Sequence, residues 1–191
     1  MIKIGIIGDI GSGKSFIARQ FGFSVFNADK EVNKIYKNNK SCFKSLKIQL
    51  PKYIFSFPIK KKELSKAILD SQNNLKKIIK IVHPLVRDSM NSFLNKNKNK
   101  KFLVLDIPLF LENKLNKKKN ILIFVSAKKK EIQKRLRKRP NYNPKIFNRL
   151  KKLQLPLELK KKKSNFVIKN NFKIKSVRKS VKVLKNKILK I

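Results

Sequence analysis

The chain has 191 residues, 41% of them hydrophobic, and carries 51 Lys plus Arg against 10 Asp plus Glu, a formal net charge of +41. That length suits one compact domain with appended lobes, and the apolar share suffices for a core. One cysteine, Cys42, and one histidine, His83, exclude an internal disulfide and argue against a Cys/His zinc site.

The apolar residues fall into short runs separated by stretches of helical spacing. The first strand is expected at Ile2 to Ile7, so near the start of the chain that no signal peptide is expected before it. A helix follows over about Lys14 to Phe21, stopped by Gly22. A second strand is expected at Ser24 to Ala28. From about Lys30 to Asn99 no strand is evident, and the pattern reads as several helices broken at Pro51, Pro58 and Pro84. The third strand is Phe102 to Asp106 and the fourth Ile121 to Ser126. A helix covers Lys128 to Lys138, Pro140 and Pro144 mark a loop, and another helix covers Lys145 to Leu153. A weaker strand, Asn165 to Ile168, precedes a last helix over Lys173 to Leu189. Strands alternating with helices predict an α/β fold with a parallel sheet flanked by helices. Such sheets bind ligands at the carboxyl ends of their strands, and the long strandless insertion would lie over that edge. No apolar run approaches bilayer length. The expected setting is cytoplasmic, with no membrane contact and a monomer or weak oligomer.

The charge admits two readings. One is binding to a polyanion such as nucleic acid. The other is compositional drift, since Lys, Asn, Ile and Phe are all encoded by codons of A and T alone and are all abundant here. The lysines are scattered along every segment instead of being gathered in one stripe, which favours drift, and no RNA-binding signature accompanies them.

Gly8-Asp9-Ile10-Gly11-Ser12-Gly13-Lys14-Ser15 satisfies G-x-x-x-x-G-K-[ST] and sits between the first expected strand and the first expected helix, as a P-loop should. Each residue type has a physical reason. Gly8, Gly11 and Gly13 let the backbone curl so that N–H groups, including that of Ser12, converge on phosphate oxygens. The helix that follows adds unpaired N–H groups and the positive end of its dipole. Lys14 supplies positive charge to the β- and γ-phosphates, and the Ser15 hydroxyl is placed for Mg²⁺. A nucleoside triphosphate with Mg²⁺ is therefore the expected ligand. Asp29, just past the second strand, reads either as a helix cap or as a carboxylate in a phosphotransfer site. Asp106, at the end of the third, reads either as a turn residue or as a contact to the metal. Cys42 reads as a small buried apolar residue.

The order of landmarks carries a resemblance. The phosphate loop, Asn27-Ala28-Asp29, His83-Pro84-Leu85-Val86, Asp106 through Glu112, Arg135-Leu136, Arg139, Arg149, Gln154, Pro156-Leu157-Glu158, Lys160 and Phe166 through Asn170 follow one another as in the dephospho-CoA kinase family, which the chain resembles from Ile4 to Asn170. The resemblance implies a P-loop core (residues 1–29 and 101–191), a helical substrate-binding region (30–100) and a lid at about 137–150. It implies transfer of the γ-phosphate of ATP to the 3′-hydroxyl of dephospho-CoA, the last step of coenzyme A synthesis. Asp29 would orient and deprotonate that hydroxyl beside Lys14. Phe16 and Arg139 would join the loop on the ATP side, and Ser15 and Asp106 on the metal side. His83, Pro108, Glu112 and Arg149 would stand near the acceptor. Arg135 and Arg139, four apart, are expected on one helix face, and Pro84 is expected to open a helix with His83 at its entrance.

Four positions depart from the family pattern: Asn27 where Asp is usual, Phe16 where Thr is common, Asp9 where Gly is usual, and Asn165 for a frequent Asp. Asp9 is expected to point away from the phosphates. The alternatives left open are a P-loop kinase acting on another small molecule, such as a nucleoside or nucleotide, and a basic nucleic-acid-binding ATPase.

Overall fold

The computed structural model describes residues 1–115, 120–140 and 142–191. These divide into two compact units: residues 1–27, 97–142 and 151–191 form the first, and residues 28–96 with 143–150 the second.

The first unit is built on five parallel strands: β1 (Ile2–Gly8), β2 (Ser24–Asn27), β3 (Phe102–Asp106), β4 (Ile121–Ser126) and β5 (Phe166–Lys169). Their order across the sheet is β2-β3-β1-β4-β5, with Ile4 aligned to Val104 on one side and to Ile121 on the other. The central strands are buried on both faces, which explains their near-continuous apolar runs. Alternation sorts the side chains. Ile4, Ile6, Phe102, Val104, Ile121, Ile123 and Val125 share one core with α1 (Lys14–Gln20) and α9 (Ile174–Leu189), which contribute Ile17, Ala18, Val177, Val181 and Ile188. On the other face, Phe110 and Leu122 close over Gly5, where a Cβ would lie 3.0 Å from both. The remaining helices of this unit are α6 (Lys129–Arg137) and α8 (Leu157–Lys162).

The second unit contains α2 (Ala28–Asn38), α3 (Lys40–Gln49), α4 (Lys61–Asp70), α5 (Gln72–Lys96) and α7 (Pro144–Lys151), whose last residue is counted with the first unit. Its core gathers Ile35, Cys42, Leu46, Ile54, Leu64, Ala67, Ile78 and Val82. The breaks between helices have local causes. Asn39 caps α3 by accepting from the Cys42 N–H at 2.7 Å, and the Ser71 hydroxyl accepts from the Asn74 N–H at 3.1 Å where α5 begins; both are standard capping chemistry. Glu63, 3% exposed, turns its carboxylate onto the N–H groups of Phe55 (3.1 Å) and Ser56 (3.3 Å) and onto the Ser56 hydroxyl, tying down the connection through Pro58.

The five expected strands are all present, within a residue or two of their expected limits. Pro51 and Pro58 lie in the connection between α3 and α4, as expected, but Pro84 does not open a helix. It sits inside the 25-residue α5, and the break expected there falls at Ser71 instead. Leu75, Ile78 and Val82 before it, and Met90 and Leu94 after it, are buried on one face. Packing on both sides of Pro84 outweighs one missing backbone hydrogen bond. His83 is accordingly in mid-helix, half-buried. A second correction concerns α6, which ends at Arg137 with Lys138 as its C-cap. Arg139 lies beyond the helix and does not share a face with Arg135, because the residue before Pro140 is biased away from helical backbone. Among the described residues no helix is long and apolar enough to cross a membrane.

Two outcomes follow from this packing. Restoring an N–H in mid-helix by Pro84→Ala should raise the unfolding free energy by about 1–3 kcal/mol, read from urea titration; unchanged stability would mean that α5 loses nothing at Pro84. Burial raises the Cys42 thiol from 9.0 to about 11. The native state then holds this proton more tightly than the unfolded one, so its stabilising contribution is full below pH 9 and declines as pH rises toward 11. Equilibrium unfolding of wild type and Cys42→Ala between these pH values should show the difference.

Candidate active site

At the carboxyl end of β1 the chain turns through residues 8–13 and enters α1. Gly13 is the N-cap of α1, in the left-handed region at φ 93° and ψ 19°, a backbone state that glycine adopts without penalty. A Cβ there would lie 2.3 Å from Asn170 Nδ2, so space forbids a side chain as well. Gly8, at φ +144°, would put a Cβ 2.7 Å from the Val125 carbonyl. The loop is thus pressed between β4 and the turn after β5, and no larger residue fits at either end.

Lys14 is 9% exposed and its ammonium folds back over the loop, 2.7 Å from the Asp9 carbonyl oxygen and 3.3 Å from that of Gly8. The Asp9 carboxylate accepts from the Ile10 N–H at 2.8 Å. Ser12 is fully buried, and Ser15 stands in the first turn of α1. Phe16 is half-buried and packs against the sheet core, so at this position the ring seats α1.

Asp106, 3% exposed, ends β3 in register with Asn27 at the end of β2, and the Asn27 carboxamide donates to its carboxylate. The register explains what residue 27 does: a second carboxylate there would face Asp106, whereas Asn offers a donor. Asp29, exposed, lies in the first turn of α2, two residues past the end of β2, and its carbonyl accepts from Asn33 Nδ2 at 2.7 Å.

Pro108 and Glu112 belong to the turns following β3. Glu112 Oε1 accepts from the Leu155 N–H at 2.8 Å and pairs at 2.7 Å with the ammonium of Lys160, a residue only 1% exposed. The pair ties the segment after β3 to α8. Arg149, in α7, directs its guanidinium to the carbonyls of Ile68 and, at 3.3 Å, Asp70, where the end of α4 leaves carbonyls without helical partners. Arg139 is exposed in the turn after α6. Asn141, within the expected lid, lies outside the described residues. Arg135 instead stacks its guanidinium over the Phe172 ring at 4.6 Å, a cation–π contact that the spacing of arginines did not suggest. Nor did the sequence give Lys160 a role: it stands there as one landmark of the resemblance, and its pairing with Glu112 appears only in the folded chain.

The family model for dephospho-CoA kinase matches residues 2–176. The chain belongs to the dephospho-CoA kinase family. The dephospho-CoA kinase of Bartonella quintana is 34% identical over 170 residues, covering 86% of this chain and 87% of that one. That of the Wolbachia of Brugia malayi is 35% identical over the same length and coverage. Among solved structures, the dephospho-CoA kinase of Campylobacter jejuni superposes with a TM-score of 0.64 at 24% identity over 98% of both chains, which shows the shared fold. Membership supports the kinase reading of the phosphate loop.

The buried clamp makes a quantitative expectation. Lys160→Ala leaves the Glu112 carboxylate without its cation and should lower stability by about 3–5 kcal/mol, whereas Lys160→Met combined with Glu112→Leu should recover most of the loss. Urea titration of the two variants checks this, and equal loss in both would show that the carboxylate is not the cause.

Proposed function

We propose that this member of the dephospho-CoA kinase family transfers the γ-phosphoryl group of ATP to the 3′-hydroxyl of dephospho-CoA, giving coenzyme A and ADP in the last step of coenzyme A synthesis. The observation that carries the reading is the phosphate loop itself. A left-handed Gly13 caps α1, and the Lys14 ammonium is held over the loop, inside a chain whose family match spans residues 2–176.

On this reading the triphosphate displaces the Gly8 and Asp9 carbonyls as partners of Lys14. The loop amides and the α1 dipole bind its oxygens, with Gly8, Gly11, Ser12, Gly13, Ser15 and Phe16 forming or seating the loop and Arg139 approaching from the lid. Mg²⁺ suits the donors present. Ser15 offers a hydroxyl and Asp106 a carboxylate, hard oxygens both, and Mg²⁺ takes one or two protein ligands alongside phosphates and water. Consistent with so sparse a set, no group of three or more His, Cys, Asp or Glu side chains gathers among the described residues. When bound, the ion neutralises charge developing between the β- and γ-phosphates.

Asp29 accepts a hydrogen bond from the 3′-hydroxyl and takes its proton as the oxygen–phosphorus bond forms and the bond to the β-phosphate oxygen breaks. A carboxylate with an ordinary pKa of about 3.9 is a weak base for an alcohol. A loose transition state requires little early proton transfer, so aligning the oxygen is the larger contribution. His83, Pro108, Glu112 and Arg149 stand on the acceptor side. Glu112 acts there through the segment it clamps, and Arg149 exchanges α4 carbonyls for an anionic group of the substrate.

Incubation of the protein with ATP, Mg²⁺ and dephospho-CoA, followed by mass measurement, should give a product one phosphate heavier than the acceptor. Phosphorylation of a nucleoside in preference to dephospho-CoA would refute the assignment. Asp29→Asn should cut kcat by on the order of 10²-fold with ATP affinity retained, and near-wild-type turnover in that variant would remove Asp29 from the chemistry.

A further inference from the structure

Asn170 is 5% exposed and lies one residue past the end of β5, in the turn that leads to α9. Its backbone N–H donates to the Ser126 carbonyl at 2.7 Å, which fixes the Cα beside the last residue of β4. Its side-chain oxygen accepts from the Phe172 N–H at 2.8 Å, closing the turn on itself. The remaining group, Nδ2, donates to the Ser12 carbonyl at 2.7 Å. The carboxamide is therefore oriented by two fixed partners, and its donor end meets the phosphate loop from outside.

A trans peptide is planar, with its C=O and N–H on opposite sides. Whatever holds the Ser12 carbonyl therefore also sets the direction of the Gly13 N–H. Left to itself this peptide is easily turned over, because glycine accepts φ of either sign at similar energy. In the flipped state a carbonyl oxygen would face the phosphates where an N–H should be. We propose that Asn170 is a positioning residue for the nucleotide. By holding the Ser12 carbonyl on the outer side of the loop, it aims the Gly13 N–H at the triphosphate. The segment behind it is packed in place: the Phe172 ring lies under the Arg135 guanidinium, and α9 buries Val177 and Val181 in the sheet core a few residues further on. The inference rests on the triphosphate-binding reading of the loop.

The chain has 5 glycines, so glycine-selective ¹⁵N labelling gives a spectrum simple enough to follow the Gly13 amide directly. In wild type that signal should move downfield on addition of MgATP. Asn170→Ala removes the donor without adding charge, and should raise the KM for ATP by about tenfold or more. The KM for dephospho-CoA should stay within about twofold, and the Gly13 response should weaken or vanish. Asn170→Asp keeps the acceptor for Phe172 and is nearly isosteric, so it serves if the alanine variant does not fold. Its added carboxylate repels ATP in any case, so its Gly13 signal, not its KM, is the informative readout. ATP affinity at the wild-type level in a folded Asn170→Ala variant, or a Gly13 signal that moves as in wild type in either variant, would overturn the inference. A wild-type protein that binds ATP without moving the Gly13 signal would overturn it while leaving the nucleotide reading intact. Failure of wild type to bind ATP would overturn both.

Discussion

The constraint on which the first unit turns is the reversal of the chain between β1 and α1. A strand buried on both faces must end, and a helix must begin, within six residues, and the backbone N–H groups exposed in that turn must face one point. Gly13 at φ 93° makes the entry to α1 possible. The pressure of Val125 and Asn170 on the loop decides that only glycine fits at its two ends. The loop's shape therefore comes from its neighbours on β4 and after β5 as much as from its own residues, and the sheet order that puts β1 beside β4 is part of the phosphate site.

A second pattern runs through the polar groups at the carboxyl ends of these strands. Asn27 donates to Asp106, Lys160 pairs with Glu112, and Asn170 donates to the Ser12 carbonyl. Each is a buried or part-buried polar contact between segments distant in sequence. Each would be costly if one member were lost, because an unpaired polar group in such a place forfeits its hydration. Contacts of this kind specify geometry more than they add stability. They locate a carboxylate, a connecting segment and a carbonyl to within a hydrogen bond's tolerance, which is the accuracy that phosphoryl transfer asks of its surroundings.

The excess of cations is a different matter. With 51 Lys and Arg against 10 Asp and Glu, most positive charges can have no acidic partner, and surface repulsion works against compactness. The described ion pairs include one exposed pair, Lys34 with Glu31, and one buried pair, Lys160 with Glu112. The surface field so produced attracts any phosphorylated ligand without distinguishing among them and weakens with salt. Discrimination has to come from fixed contacts at short range.

The sequence by itself determined the parts of this protein whose physics is local. Apolar alternation and run length located the five strands, because burial acts on each residue where it stands. The spacing of Gly8, Gly13, Lys14 and Ser15 located the phosphate loop, because backbone curvature and charge are needed within eight consecutive residues. The order of landmarks from Asn27 to Asn170 pointed to the family. Tertiary structure decided what depends on partners far along the chain. Pro84 reads as a helix breaker until buried residues on both sides hold α5 together through it. Asn27 reads as a lost carboxylate until strand register sets it against Asp106. Lys160 and Asn170 stand in the sequence as landmarks of the resemblance with no role of their own until folding places one beside a buried carboxylate and the other behind the phosphate loop. Partners separated by tens of residues along the chain leave no periodic trace in a single sequence, so only the folded chain could identify them.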